Sequence, residues 1–336
     1  MLDDNLLDRH AATDILIVSG ADVRQLLGMA ECIALMKVTM QTVSRGGAQL
    51  PLRIGASLPG GNLLAVMPGY LEEPASAGAK VIAVCPGNAQ QGLSSHMGVV
   101  VLFDPARGIP VAVIDAAAIT ALRTAAASAV ATDVLARPDA GNLAIIGTGE
   151  QAVAHLHAMG KVRRLRQATV WGRSIEKARA FAQRESTALG LHIAVADTVE
   201  HAVADADIVC TTTGSREPIL EGAWVRPGTH VNLVGASSAQ AREANEGLVM
   251  KSAYFVDFKP SALAQSGDLL AATGTLAAKH IRGEIGEVLL GKVTGRRHDD
   301  EITIYKSLGI AAQDLAAAHL VYRKARQAGR GTPAVL

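Results

Sequence analysis

The segment Gly147-Thr148-Gly149-Glu150-Gln151-Ala152 has the spacing of a turn made to meet a phosphate. It follows the apolar run Leu143-Ala-Ile-Ile146 and opens a helical stretch to about Met159, so it reads as strand, turn and helix. The first glycine then permits a tight turn, the second lets backbone N–H groups approach a pyrophosphate, and Ala152 is small enough for helix to pack closely on strand. The N–H groups and dipole at the helix start supply partial positive charge. Gly147, Thr148, Gly149, Gln151 and Ala152 are assigned to dinucleotide binding on this basis. A plain strand–turn–helix uses the same glycines, and the alternating pattern described below favours the nucleotide.

The end of the next strand bears on which dinucleotide. A ribose 2′-hydroxyl calls for Asp or Glu there. This chain has Trp171-Gly172-Arg173-Ser174, with no carboxylate before Glu176. Arg173 can pair with a 2′-phosphate and Ser174 can donate to it, so NADPH is expected, with NADH left open. Thr212, Thr213 and Val234 close two further strand ends, on the side where a wound sheet binds the nicotinamide.

These residues need a frame. From Asp139 onward, Leu143–Ile146, Ala168–Trp171, His192–Val195, Ile208–Cys210 and His230–Val234 read as buried strands. They alternate with helices such as Glu176–Gly190, which means βαβ units and a Rossmann-type parallel sheet in an α/β protein. The earlier part differs. Strands Ile15–Val18 and Val99–Phe103, a helical spacing over Asp22–Val43, and turns at Gly60-Gly61 and Pro86-Gly87 predict an α+β domain. A long helix over Ala116–Ala136 stops before Pro138, and Tyr305–Arg326 has a helical period.

Composition excludes several functions. With 336 residues, two domains are expected. Lys plus Arg number 32 and Asp plus Glu 31, which argues against a nucleic-acid binder with a basic face, and 3% aromatics argue against base stacking. No unbroken apolar run of roughly 18 residues is present, so no membrane span is expected. The acidic start Met1-Leu-Asp-Asp-Asn lacks a signal peptide's basic flank, and Cys32, Cys85 and Cys210 lie far apart, pointing to a reducing cytoplasm. No metal is expected: His155 and His157 fall on different helical faces, His96 stands apart, and His298-Asp-Asp-Glu301 reads as a solvated loop.

Beyond these motifs, the chain resembles the ornithine cyclodeaminase/mu-crystallin family over nearly its whole length. The resemblance rests on Met67-Pro68, Lys80 followed by Pro86-Gly87-Asn88, Leu122-Arg-Thr-Ala-Ala126 and the Gly147 turn. Val234-Gly-Ala-Ser237, Ser266-Gly-Asp268, Gly283-Glu-Ile-Gly-Glu287 and Tyr305-Lys-Ser-Leu-Gly309 extend it. It implies a homodimer with a substrate-binding and dimerisation domain from residues 1–125 and 308–336, completed by the C-terminal helix, and a Rossmann domain over 126–307. It also implies that Arg53, Lys80 and Arg123 hold a substrate carboxylate. Arginine's bidentate geometry suits that task in a dry cleft. Each has a simpler reading. Arg53 can be a surface arginine, Lys80 can snorkel, and Arg123, inside an alanine-rich helix, needs an anion that a structural Asp would also provide. A desolvated Lys80 would instead have a lowered pKa suited to proton donation. Thr124 reaches a phosphate or bonds back to its own helix.

One departure selects among the family's activities. Cyclodeaminases carry an aspartate at the position matching Ser237, and a serine hydroxyl is no base near neutral pH. Serine there resembles the ketimine-reductase branch, which reduces cyclic imino acids. The expected reaction is NAD(P)H-dependent reduction of Δ1-pyrroline-2-carboxylate to L-proline, with Δ1-piperideine-2-carboxylate to L-pipecolate as a second substrate. Arg53 and Arg123 would clamp the acid, Lys80 would clamp or protonate, Ser237 would hydrogen-bond the substrate, and Ser307 would contact ligand. An ornithine cyclodeaminase, an alanine dehydrogenase and a non-catalytic NADPH binder are the alternatives. Glu243 is expected to be structural.

Overall fold

The computed structural model describes residues 14–85, 87–88, 93–94 and 96–335. The acidic segment Met1–Asn5 and the turn residue Pro86 lie outside the described residues.

The first sheet takes β1 (Asp14–Val18), β2 (Ala48–Gln49), β3 (Ile54–Leu58), β4 (Asn62–Glu72), β5 (Ala75–Val84), β6 (His96–Phe103) and β7 (Pro110–Asp115). The second takes β8 (Asn142–Ile146), β9 (Gln167–Trp171), β10 (Ile193–Val195), β11 (Ile208–Thr211), β12 (His230–Leu233), β13 (Ala253–Val256), β14 (Ile281–Glu284) and β15 (Thr303–Lys306). The chain then returns to the first sheet as β16 (Thr332–Val335).

In the first sheet the order is β16-β1-β7-β6-β5-β4-β2, with β3 also on β4. Only β1 and β7 pair in parallel; β4, β5 and β6 form a long antiparallel meander. Their pleat places Ala65, Met67, Lys80, Ile82, Val100 and Leu102 inward. Helices α1 (Gly20–Leu26), α2 (Met29–Ser44) and α3 (Ala116–Leu135) share one core with that face and with the C-terminal helix Ala311–Gln327.

The second sheet is parallel throughout, ordered β10-β9-β8-β11-β12-β15-β13-β14. From β8 the chain first builds outward through β9 and β10, then returns to place β11 on the other side. The carboxyl ends of β8 and β11 therefore flank a topological switch point, where such sheets bind ligands. Gly149 starts helix α4 (Glu150–Val162) directly above it, and Ser174 starts α5 (Ile175–Leu189) after β9.

Two expectations are corrected. The helical spacing over Asp22–Val43 belongs to two helices bent by 86°, because Leu27 turns extended to bury its side chain and Gly28 starts α2. The helical period over Tyr305–Arg326 begins with strand β15, since Tyr305 and Lys306 are buried between β12 and β13; Gly309, at φ +76°, separates it from the helix. Helix α3 has the length and apolar composition of a spanning helix, and 78% of its apolar window is buried within the protein, the place of a core helix. It is the hub of the protein, capped at its start by Asp115, which accepts from Ala118 N–H at 2.7 Å.

Candidate active site

A cleft of about 440 Å³ opens between the two sheets above the switch point. Strands β4 and β5 supply one wall, where the cross-strand neighbours are apolar apart from Lys80. Met67 lies opposite Lys80, Ala65 opposite Ile82, and Leu63 opposite Val84. The facing wall comes from the ends of β11, β12 and β15 and from the start of α4.

The structure brings Arg53, Lys80, Arg123, Ser237 and Ser307 to this one cleft. Lys80 and Arg123 are nearly fully buried and share one carboxylate, on the C-terminal helix. Lys80 Nζ lies 2.8 Å from Asp314 Oδ2, and Arg123 Nε donates to Asp314 Oδ1 at 2.8 Å. Arg123 Nη1 also donates to Gln313 Oε1 at 3.0 Å, and Lys80 Nζ to Thr120 Oγ1 at 3.4 Å. Thus Arg123 meets a structural Asp, and Lys80 does not snorkel. Arg53 bonds only carbonyls among the described residues. Its Nη1 donates to Ser237 O at 3.3 Å and Nη2 to Leu308 O at 3.1 Å, while Nε is buried without a partner.

Lys80 and Arg123 share Asp314 while Arg53 adds a third cation that pairs with no carboxylate, so the cleft is positive, and the titration of its groups reflects this. Burial brings Lys80 down from its usual value to about 8; Asp314 opposes the shift and Arg123 adds to it. Burial, then the Arg123 charge, also lowers Arg53. His96, on the wall at the start of β6, is held below the usual imidazole range by burial and then by Lys80, Arg123 and Arg53. Asp257 is raised to about 6 by burial, against three backbone N–H groups and the Arg123 charge. Such a positive field in a cleft with apolar walls favours a small anion.

The nucleotide side shows equally specific features. Gly147 has φ +125°, and a Cβ there would come 2.7 Å from Thr212 Oγ1. At Gly149 a Cβ would meet nothing within 4 Å, and the start of α4 carries no side-chain cap. Its N–H groups are thus open to an anion. Thr124 Oγ1 and Gln151 Oε1 are buried here without hydrogen-bond partners. Thr124 therefore does not bond back to its helix. Orphaned buried groups of this kind cost about 1–3 kcal/mol each unless a ligand satisfies them. The cradle fits a dinucleotide pyrophosphate.

The remaining nucleotide candidates are placed as follows. Ala152 is buried, packing α4 on the sheet, and Thr148 lies against Gly172. Arg173 is exposed past the end of β9. Ser174 Oγ caps α5 by accepting from Lys177 N–H at 3.2 Å and donates to Glu176 Oε2 at 2.7 Å. Thr212, Thr213 and Val234 line the cleft.

Sequence reasoning missed the site roles of two residues. Asp314 had no signal, being 191 positions from Arg123. His96 drew notice only as a metal candidate. Glu243 is structural as expected, and it ties together the ends of β11 and β12. Its Oε1 accepts from Thr213 N–H and Oγ1, and its Oε2 from Thr211 Oγ1, Gly235 N–H and Ala236 N–H. Asp268 in turn accepts from Glu243 N–H and from the fully buried Lys306 Nζ at 2.6 Å. The other histidines set aside have plain roles: His155 bonds Ser128 Oγ within the core, and His157 pairs with Glu185 at 2.8 Å.

The sequence profile of the ornithine cyclodeaminase/mu-crystallin family matches residues 13–329. The chain belongs to the ornithine cyclodeaminase/mu-crystallin family. It is 39% identical over 259 residues to the ketimine reductase mu-crystallin of Mus musculus, covering 77% of this chain and 79% of that one. It is 35% identical over 323 residues to a Δ1-pyrroline-2-carboxylate reductase of Bacillus cereus, covering 94% and 98%. Among solved structures, the Thermococcus litoralis Δ1-pyrroline-2-carboxylate reductase in complex with NADH and L-proline superposes with a TM-score of 0.92 at 36% identity, covering 95% of this chain and 99% of that one.

Proposed function

We propose that this family member is an NAD(P)H-dependent reductase of cyclic ketimine carboxylates, with Δ1-pyrroline-2-carboxylate, reduced to L-proline, as the main substrate. The observation that carries the reading is the convergence of Arg53, Lys80 and Arg123, with Lys80 and Arg123 sharing one aspartate, in a cleft that also holds Gly149. The relatives named ketimine reductase and Δ1-pyrroline-2-carboxylate reductase support it.

The reduced nicotinamide supplies the hydride for the C=N carbon. The chain's own residues do the rest. Arg53 and Arg123 hold the carboxylate and so fix which face of the ring is presented. Met67, Ile82 and Val84 give the ring an apolar wall and exclude water. Lys80, brought to about 8, is charged near neutral pH and donates a proton to the imine nitrogen, with Asp314 retaining the countercharge. Ser237 and Ser307 offer hydroxyls at the cleft; Ser307 Oγ is buried without a protein partner.

Absence of an acid opposite the clamp supports imine reduction over cyclodeamination. Glu150, beside the pyrophosphate cradle, is the one carboxylate among the described lining residues, so a second substrate amine would meet no acid on the clamp side of the cleft. Thr124, Gly147, Thr148, Gly149, Gln151 and Ala152 would hold the dinucleotide, with Thr212, Thr213 and Val234 beside its nicotinamide. Arg173 would favour NADPH; Ser174 serves mainly as the cap of α5.

A homodimer fits the outward face of the first sheet. Ile54, Leu64, Met97 and Phe103 lie exposed there, with Ile54 68% exposed, and apolar patches of this kind mark interfaces. Three free cysteines, two of them buried, accord with a cytoplasmic setting.

The test is oxidation of NADPH and NADH against five- and six-membered cyclic imino acids, pyruvate with ammonia, and ornithine with the oxidised cofactors. Turnover of the imino acids with no ammonia from ornithine is expected. Turnover of pyruvate with ammonia alone would overturn the reading in favour of an alanine dehydrogenase.

A further inference from the structure

Both clamp arginines lean on one short turn, Ser307-Leu308-Gly309. Leu308 contributes its carbonyl, which accepts from Arg53 Nη2 at 3.1 Å. Gly309 contributes the absence of a side chain: a Cβ there would come 2.7 Å from Arg123 Nη1 and 2.8 Å from Nη2. Its φ of +76° suits glycine as well. The direction of each guanidinium therefore depends on where this turn sits.

One buried carboxylate holds it there. Asp257, at the end of β13, is 2% exposed. Its Oδ2 accepts from Leu308 N–H at 2.9 Å and Gly309 N–H at 2.7 Å, and its Oδ1 accepts from Phe258 N–H at 2.9 Å. Asp257 is not among the residues lining the cleft. Bonds from backbone N–H to an ionised acceptor are about twice as strong as neutral ones, and these two donors would otherwise be buried unpaired.

We propose that Asp257 is a positioning residue of the carboxylate clamp, fixing the Ser307–Gly309 turn and through it the aim of Arg53 and Arg123. Bidentate recognition of a small acid tolerates little displacement, so the effect falls on substrate binding and spares the nucleotide side. The inference rests on the reading of the cleft as an imino-acid site.

Asp257→Asn keeps the shape and removes the charge. Its KM for Δ1-pyrroline-2-carboxylate should rise about tenfold or more, with kcat within about threefold of the parent. The Kd for NADPH, read by fluorescence quenching, should stay unchanged. A lower melting temperature with an unaltered KM would overturn the inference, because a merely structural aspartate behaves that way. Gly309→Ala leaves Asp257 in place and pushes on Arg123 from the other side. Its KM should rise similarly, and it carries the test should Asp257→Asn fail to fold. Thermal protection by pyrrole-2-carboxylate, a flat acid, reads the clamp independently of turnover. An unmodified protein neither protected by it nor active on any cyclic imino acid overturns both readings. Activity in the parent with unchanged KM in both variants overturns only this one.

Discussion

Lys80 and Arg123 approach opposite oxygens of the same carboxylate, Asp314, each at 2.8 Å. The two cations come from the first sheet and from α3, and the anion from the C-terminal helix, so three distant parts of the chain meet in one buried triad. Removing the anion alone leaves two desolvated positive charges. Asp314→Asn should destabilise the fold by about 3–5 kcal/mol, read by chemical denaturation. Because Asp314 is what raises Lys80 against its burial, the variant's Lys80 should titrate still lower.

Activity should depend on the protonated form of Lys80. With this group at about 8, kcat/KM for the imino acid is expected to fall as pH rises through that value. Lys80→Met should remove this limb of the pH–rate profile and lower kcat by about 10²–10⁴-fold. A limb unchanged in Lys80→Met would assign the proton to another group.

Arg173 stands exposed past the end of β9, with Glu176 close by on the Ser174 hydroxyl. Arg173→Ala should raise the KM for NADPH about tenfold while leaving that for NADH unaltered, as expected for loss of a charge-assisted bond. Equal effects on both cofactors would refute a role in discrimination.

At Gly147, φ +125° and the nearness of Thr212 exclude a side chain. Gly147→Ala should cost about 1–3 kcal/mol of stability. It should also weaken nucleotide binding, measurable by calorimetry with NADPH.

Ser237 borders the clamp through its carbonyl, which accepts from Arg53. Ser237→Asp would place a carboxylate beside that guanidinium and compete with the acid substrate. An increase in KM of about tenfold or more, without gain of ornithine turnover, is expected.

Short-range physics made the nucleotide half readable. A strand, two glycines and a small alanine within ten residues specify the turn at Gly147, and the alternation after Asp139 specifies the parallel sheet. The cationic residues were visible as types whose burial would demand an anion, but the anion itself was not. Asp314 lies 191 positions beyond Arg123, inside a helix whose periodicity says nothing of which face meets which partner. The break at Gly28 escaped notice because the apolar spacing continues across it, and β15 because Tyr305 and Lys306 fit a helical period equally well until a sheet claims them. Lys306 is fully buried only because Asp268 is there to receive it, another pairing that spacing cannot reveal.

Strand β15 sits inside the second sheet, and the chain leaves it directly for the helix that carries Asp314. Helix α3 makes the opposite crossing and packs against both. The polypeptide is thus stitched twice across the same seam. Severing it near residue 300 would deprive each half of a piece of its interior, so neither half should be obtainable as an autonomous fragment.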